Sequence, residues 1–204
     1  VTIEKGIDWG RPGPLPADGV VCATDADARR AVVDARRQQR PLPVIGLIGG
    51  DLWKTLGGPL GGEHRLRSAD AMTFPVDLGS ALVDGRLHWF VAHLVARRSW
   101  LRGRVVVAMN AQWLGEWDLA PRGHPDDGRL DVTDGDLPLR QRFAARKRLV
   151  TGTHLPHPSL EHRRVDAFQT ELHPPLDVYL DGDKIGRATN LSVRVEPDAL
   201  TIVV

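Results

Sequence analysis

The chain has 204 residues, 42% apolar and 26% charged, an ordinary globular balance with material for one large domain or two small ones. Lys+Arg 27 against Asp+Glu 26 leaves a net charge of +1, so no global field draws it to nucleic acid, and none is expected as a partner. Cys22 is the only cysteine, which excludes an intrachain disulfide framework and a cysteine-based zinc site, and no apolar run reaches the roughly 18 residues that a bilayer span needs.

The first segment, VTIEKGIDWG, lacks a basic-then-apolar leader pattern. With the lone cysteine, this predicts a reducing, cytoplasmic setting. Residues 1–19 carry Gly6, Gly10, Pro12, Gly13, Pro14 and Pro16 and read as an irregular arm. Gly19 to Ala23 reads as a buried strand. Thr24 is placed to cap a helix with Asp25 and Asp27 in its first turn, running to about Gln39 before Pro41 and Pro43. Ala28, Ala31, Val32 and Ala35 form its apolar face. Pro43 to Ile48 is a second buried strand, and Asp51 to Leu56 one or two helical turns. Strand–helix–strand–helix over residues 19–57 is the pattern of a parallel α/β unit.

After Gly61 the pattern turns to short strands. Met72–Leu78, Ala81–Val83, Leu87–Phe90, Arg104–Asn110, Arg129–Asp134, Val165–Thr170, Asp177–Leu180, Leu191–Val195 and Ala199–Val203 read this way. Asp84-Gly85 is a tight turn, and further turns fall at Asp181-Gly182-Asp183 and Gly186. Val91 to Leu101 is helical or extended. Leu137 to Val150 reads as a helix with Leu139, Phe143 and Leu149 inward. Residues 70–204 are thus mostly antiparallel β with one helix.

LAPRGHPDDGRLDV, Leu119 to Val132, sets a Pro- and Gly-bearing turn beside Asp126 and Asp127. Alone it is a surface turn. His154, His157, His162 and His173 fall close together, but their spacing fits no zinc pattern and the prolines among them indicate a solvated surface. Arg140, Arg142, Arg146, Lys147 and Arg148 are a wet helix face, with a membrane-surface role as the functional alternative.

In order along the chain, VIGLIGGDLWKTLGG, FPVDLGSALVDG, VVVAMNAQWLGEWDLAPRGHPDDGRLDV, LDVYLDGDKIG and RVEPDALTIVV resemble the diacylglycerol-kinase and sphingosine-kinase-like lipid kinases. The resemblance covers about residues 19–204. It implies a reduced Rossmann-like α/β N-terminal part (residues 1–60) followed by a β-sandwich-like second domain (residues 61–204). It also implies ATP and Mg2+ as cofactors. Asp183 matches the acid of a family Asp-Gly-Glu proposed as general base, though Asp is about 1.5 Å shorter than Glu. Asp25 and Asp51 match two further acids of the catalytic centre. Thr24, Gly49, Gly50 and Asn110 fall on nucleotide-contacting segments. Asp127, with Asp126 beside it, matches a structural cation ligand, for which oxygen donors suit magnesium or calcium.

The chain departs from that pattern at the phosphate loop. The family's Gly-Gly-Asp-Gly-Thr is replaced by Ala23-Thr24-Asp25-Ala26-Asp27, without glycines and with a second acid where phosphate would sit. The bland readings stand beside the functional ones: Asp25 and Asp27 as first-turn helix acids, Asp51 as an N-cap, and Asp181-Gly182-Asp183 as a hairpin turn. Trp113 and Trp117 stand where the family has smaller residues, placed to fill nucleotide or lipid space. The leading expectation is a kinase-like protein with a degenerate phosphate loop, weak or inactive as a kinase, that binds a lipid, an anionic ligand or a partner. The alternative is an active ATP-dependent kinase of a lipid or isoprenoid alcohol. Peripheral membrane contact, and a second copy or partner chain covering an exposed edge at Gly19–Ala23, are the expected associations.

Overall fold

The computed structural model describes residues 9–153 and 159–204. Residues 1–8, including Gly6, and His154 and His157 lie outside them. The arm is anchored by Trp9, which donates to the Pro75 carbonyl at 3.1 Å, and by β1 (Arg11–Pro12). β2 (Val20–Cys22) then leads into α1 (Asp25–Arg37). Thr24 caps it as expected: its Oγ1 accepts from the Asp27 N–H at 3.1 Å. Ala28, Val32 and Ala35, spaced 4 and 3 apart, are buried. β3 (Ile45–Leu47) lies parallel to β2. Two single-turn helices follow, α2 (Asp51–Thr55) and α3 (Gly62–Leu66), the second not foreseen because its flanking glycines read as loop.

The rest is mostly antiparallel β. β4 (Met72–Val83) turns at Asp84-Gly85 into β5 (Arg86–Phe90). β6 (His93–Arg97), β7 (Val105–Met109), the short pair β8 (Trp113–Leu114) and β9 (Trp117–Asp118), and β10 (Leu130–Gly135) follow. α4 (Leu139–Leu149) precedes β11 (Leu160–Val165), β12 (Ala167–Leu180) and β13 (Asp183–Val203). The main sheet runs β1-β4-β13-β12-β6-β7-β10-β11, with β5 on β4. β3 pairs parallel with the end of β13, Ile45 opposite Ile202, so the α/β unit extends this same sheet. Alternate residues of β4, β6, β7, β10, β12 and β13 share one core around Phe90, Leu94, Leu130 and Leu180, which requires the sheet to curl over itself as a sandwich does.

Several elements differ from expectation. Met72–Leu78 and Ala81–Val83 are one strand, and Leu191–Val195 and Ala199–Val203 are joined within β13 across an irregularity between Glu196 and Leu200. Within Val91–Leu101 the regular part, His93–Arg97, is strand β6 and not helix. β11 brings His162 out of the predicted surface turn to 3.2 Å from buried Asp131; His173 stays exposed. In α4 the expected inner face is met only in part: Leu149 and Phe143 line the cavity beneath the helix, and Leu139 does not. Leu139 and Phe143 are 52% and 54% exposed. The inward side chain is Arg142, whose guanidinium donates to the carbonyls of Leu137, Trp100 and Gly103. Ala145 and Leu149, 3 and 7 residues on, share that side.

Candidate functional site

Two loops set the centre of the site. One runs from β2 into α1, the other from β3 into α2. The Asp25 carboxylate accepts from the backbone N–H of Asp51 at 2.5 Å and of Leu52 at 3.2 Å, so it holds the start of α2. Gly50 lies against that carboxylate. Its φ is +103°, and a Cβ there would meet Asp25 oxygens at 2.6–2.7 Å. Gly49 packs on the Ala23 carbonyl, where a Cβ would come within 2.6 Å. Both glycines are therefore spent on approach to the chain's own acid and carbonyl. Burial, then the Asp181 charge, pushes the Asp25 carboxyl up to about 7, against the opposing N–H groups and His93.

Asp51 opens α2 rather than capping it; Gly50 is the cap residue, and no side chain caps there. One Asp51 oxygen accepts from Gly115 N–H at 2.8 Å, and the other lies 2.9 Å from His93 Nε2. Burial lowers the His93 imidazole, but the Asp51 hydrogen bond and the charges of Asp181 and Asp51 outweigh it and hold it above its ordinary value. Asp181 is the turn residue of the β12–β13 hairpin and is also buried. It accepts from Val91, Ala92 and His93 N–H at 2.9, 2.8 and 3.0 Å. Burial leaves its carboxyl raised despite those donors. Arg29 links the two ends of the group, with Nε 3.8 Å from Asp181 and Nη2 2.6 Å from Asp183. Arg30 also reaches Asp183, at 3.3 Å.

Asp25 and Asp51 thus meet directly, and Asp183 joins them through Arg29 and Asp181. His93 and Arg29 were not singled out from the sequence. Arg29 had a usable signal, since it stands one helical turn after Asp25. His93 had none, because its segment could be read either way. Thr24 faces Asp27, donating its hydroxyl to that carboxylate at 2.7 Å. Asn110 is elsewhere: its Nδ2 donates to the Asp77 and Val91 carbonyls, both at 2.8 Å. It ties the site to a second acidic group.

In that second group Asp77, Asp126 and Asp198 each bring a carboxylate oxygen within 4.8 Å of the others. Asp77 accepts from Asp198 N–H at 2.9 Å and Gly128 N–H at 2.7 Å. Burial, then a hydrogen bond to Asp198, pushes Asp126 up to about 7, and its Oδ1 is buried with no partner. An all-oxygen donor set with an orphaned oxygen fits Mg2+ or Ca2+. Asp127 turns away to pair with Arg164, which also approaches Asp131 at 3.6 Å. The two adjacent acids therefore part, and of the two it is Asp126 that a cation would use.

Beside His93 and Gly182 opens a cleft of about 460 Å³ whose walls include Arg97, Trp100, Trp117 and Tyr179. The Arg97 guanidinium stacks between Trp100 at 4.8 Å and Tyr179 at 4.5 Å, and its Nε is buried without a hydrogen-bond partner. Among the described residues it pairs with no carboxylate. Trp100, Trp117 and Arg146 are shared with a second, apolar cavity of about 110 Å³ under α4, lined also by Val105, Val107 and Leu149. Trp117, foreseen as a space-filler, meets Trp100 edge-on at 5.0 Å and forms the wall between the two. Trp113 lies instead under Lys54, 3.9 Å from its ammonium.

No curated protein matches the sequence. Solved structures of the same fold include three from Bacillus anthracis str. Sterne. One, described as a diacylglycerol kinase, has 16% identity and a TM-score of 0.56, covering 79% of this chain and 66% of that one. Two described as proposed diacylglycerol kinases have 14% and 15% identity and TM-scores of 0.68 and 0.62. Those alignments cover 91% and 79% of this chain, and 77% and 69% of the others. Residues 70–204 match the family model described as the YegS C-terminal NAD kinase beta sandwich-like domain. By that match, and by the fold it shares with those structures, the chain belongs to the diacylglycerol-kinase-like lipid kinase family.

Proposed function

We propose that this protein binds an anionic amphiphile, a lipid with an acidic head group, and transfers phosphate from ATP weakly or not at all. The observation that carries the reading is Arg97: a cation held between two aromatic rings, without a carboxylate among the described residues, on the wall of a cleft that adjoins an apolar cavity. A head group on Arg97 and Arg146 leaves an acyl chain free to enter beneath α4. Against phosphoryl transfer stands Asp25, which fills the anion-favouring start of α2 with the protein's own carboxylate. Asp27 adds a second negative charge at the first turn of α1.

A second reading, an ATP-dependent lipid kinase using Mg2+, is favoured by one observation. The Asp183 side chain is 49% exposed, beside Gly182 at the cleft, where a base would need to reach a lipid hydroxyl. Calorimetric titration with Mg-ATP and, separately, with a short-chain phosphatidic acid below its micellar concentration decides between them. Binding of the lipid acid, weakened in Arg97→Met, with no heat from millimolar Mg-ATP, is the expected result. ATP-dependent lipid phosphorylation lost in Asp183→Ala overturns it in favour of the kinase.

A further inference from the structure

β10 and β11 bring three polar side chains to one face of the sheet beneath α4. Thr133 and His162 stand directly opposite each other across the strand pair, and Asp131 is two residues before Thr133, on the same side. His162 Nδ1 is 3.1 Å from Thr133 Oγ1, and its Nε2 is 3.2 Å from Asp131 Oδ1. Asp131 is buried, and that Oδ1 has no hydrogen-bond partner among the described residues, so the ring beside it is the group its charge serves. A carboxylate only accepts, and it therefore favours the neutral ring with its proton on Nε2. Nδ1 is then a bare lone pair, and the Thr133 hydroxyl donates to it. Thr133 also lines the apolar cavity beneath α4, together with Val107, Gly135 and Leu160. A line of polar groups thus runs from a buried acid, through an imidazole, to a hydroxyl at the cavity wall.

A cross-strand Thr–His contact by itself only joins two strands. The buried acid behind the ring sets this pair apart, because it favours the tautomer in which the imidazole is a base toward the hydroxyl. We infer that Thr133, His162 and Asp131 form a nucleophile, base and orienting acid that hydrolyse carboxylic esters whose short apolar acyl chain sits in the cavity. A bond forms between Thr133 Oγ1 and the ester carbonyl carbon while the hydroxyl proton passes to His162 Nδ1. The bond from that carbon to the alcohol oxygen then breaks, and the departing oxygen takes the proton. Water, deprotonated at the same nitrogen, cleaves the acyl-threonine to the carboxylic acid and restores the hydroxyl. Arg146, on the same cavity wall, supplies positive charge for the oxyanion. The inference rests on the binding function proposed above only in that an acyl chain enters beneath α4. It adds a reaction that uses neither ATP nor Asp183.

The test is hydrolysis of p-nitrophenyl butanoate by the full chain, with peptide mass spectrometry after an acid quench to find the acylated side chain. The expected result is turnover through a butanoyl ester on Thr133. Thr133→Val and His162→Gln each lower the rate by about a hundredfold or more, whereas Thr133→Ser keeps both turnover and adduct. Thermal melting shows whether the variants fold. Should Thr133→Val fail to fold, a fluorophosphonate, which phosphonylates activated hydroxyls, is applied to the unaltered chain: a label on Thr133 supports the inference, and no label or a label elsewhere overturns it. Turnover no faster than that of free imidazole, or unchanged in a folded Thr133→Val, also overturns it. Binding of short-chain phosphatidic acid without ester turnover overturns this inference and leaves the binding function standing. Turnover on Thr133 without binding of the lipid acid overturns the head-group reading alone.

Discussion

His93 Nε2 lies 2.9 Å from Asp51 Oδ2, and the same histidine donates its backbone N–H to Asp181, so one residue joins α2 to the β12–β13 turn. The His93 ring is held above its ordinary pKa and carries a proton where a free histidine is losing one. A raised histidine stabilises the fold below its unfolded pKa of about 6.5 and loses that stabilisation as pH rises through the folded value. His93→Leu should therefore cost more at mildly acidic than at alkaline pH, by about 2 kcal/mol for a lost hydrogen bond between charged groups. Chemical denaturation at both pH values measures this. An equal loss at both would show the pair to be neutral.

Asp25 and Asp126 act in the same direction. Each is pushed up to about 7 by burial first, then by its acidic neighbour. A carboxyl raised from an unfolded value near 3.9 favours the folded state at low pH and withdraws that support as pH climbs through about 7. The melting temperature should fall by several degrees between mildly acidic and mildly alkaline buffer. Asp126→Asn, which keeps a donor toward Asp198, should flatten part of that fall. A melting temperature that rises over the interval would contradict the assignment.

Cation binding competes with that proton. If Asp77, Asp126 and Asp198 hold Ca2+ or Mg2+, millimolar cation should raise the melting temperature more in alkaline than in mildly acidic buffer, since the ligand must be deprotonated. Asp126→Asn should abolish the shift, whereas Asp127→Asn, which removes the Arg164 partner instead, should leave it. Differential scanning fluorimetry reads all three.

Gly50 separates a structural glycine from a phosphate-cradling one. Gly50→Ala should destabilise by about 1–3 kcal/mol, because a side chain is strained at that φ and its Cβ meets Asp25. Urea unfolding in the absence of nucleotide tests this. A variant as stable as the parent would mean that the glycine is free for a ligand.

At the cleft, Arg97→Met should lower affinity for a short-chain lipid acid about tenfold, the scale of one charge-assisted hydrogen bond at 1.5–3 kcal/mol. Methionine keeps apolar contact with Trp100 and Tyr179, so melting should change little. Titration by intrinsic tryptophan fluorescence, with Trp100 and Trp117 in the wall, gives the readout.

The sequence by itself determined the parts governed by local chemistry. Thr24 followed by acids made a capped helix, Asp84-Gly85 made a hairpin turn, and the alternating apolar runs made strands. Asp25 and Asp51 could be picked out as site residues, but not their use on each other. Pairing across β2, β3 and β13 decided that, because the Asp25 carboxylate reaches the Asp51 N–H only once two loops 26 positions apart are side by side. His93 and Arg97 were silent for the same reason: each takes its role from partners on other strands or turns. The inner face of α4 was read only in part because sparse apolar residues left its orientation to tertiary contacts. Three carbonyls of neighbouring segments needed donors, and satisfying them drew Arg142 inward and left Leu139 and Phe143 about half exposed.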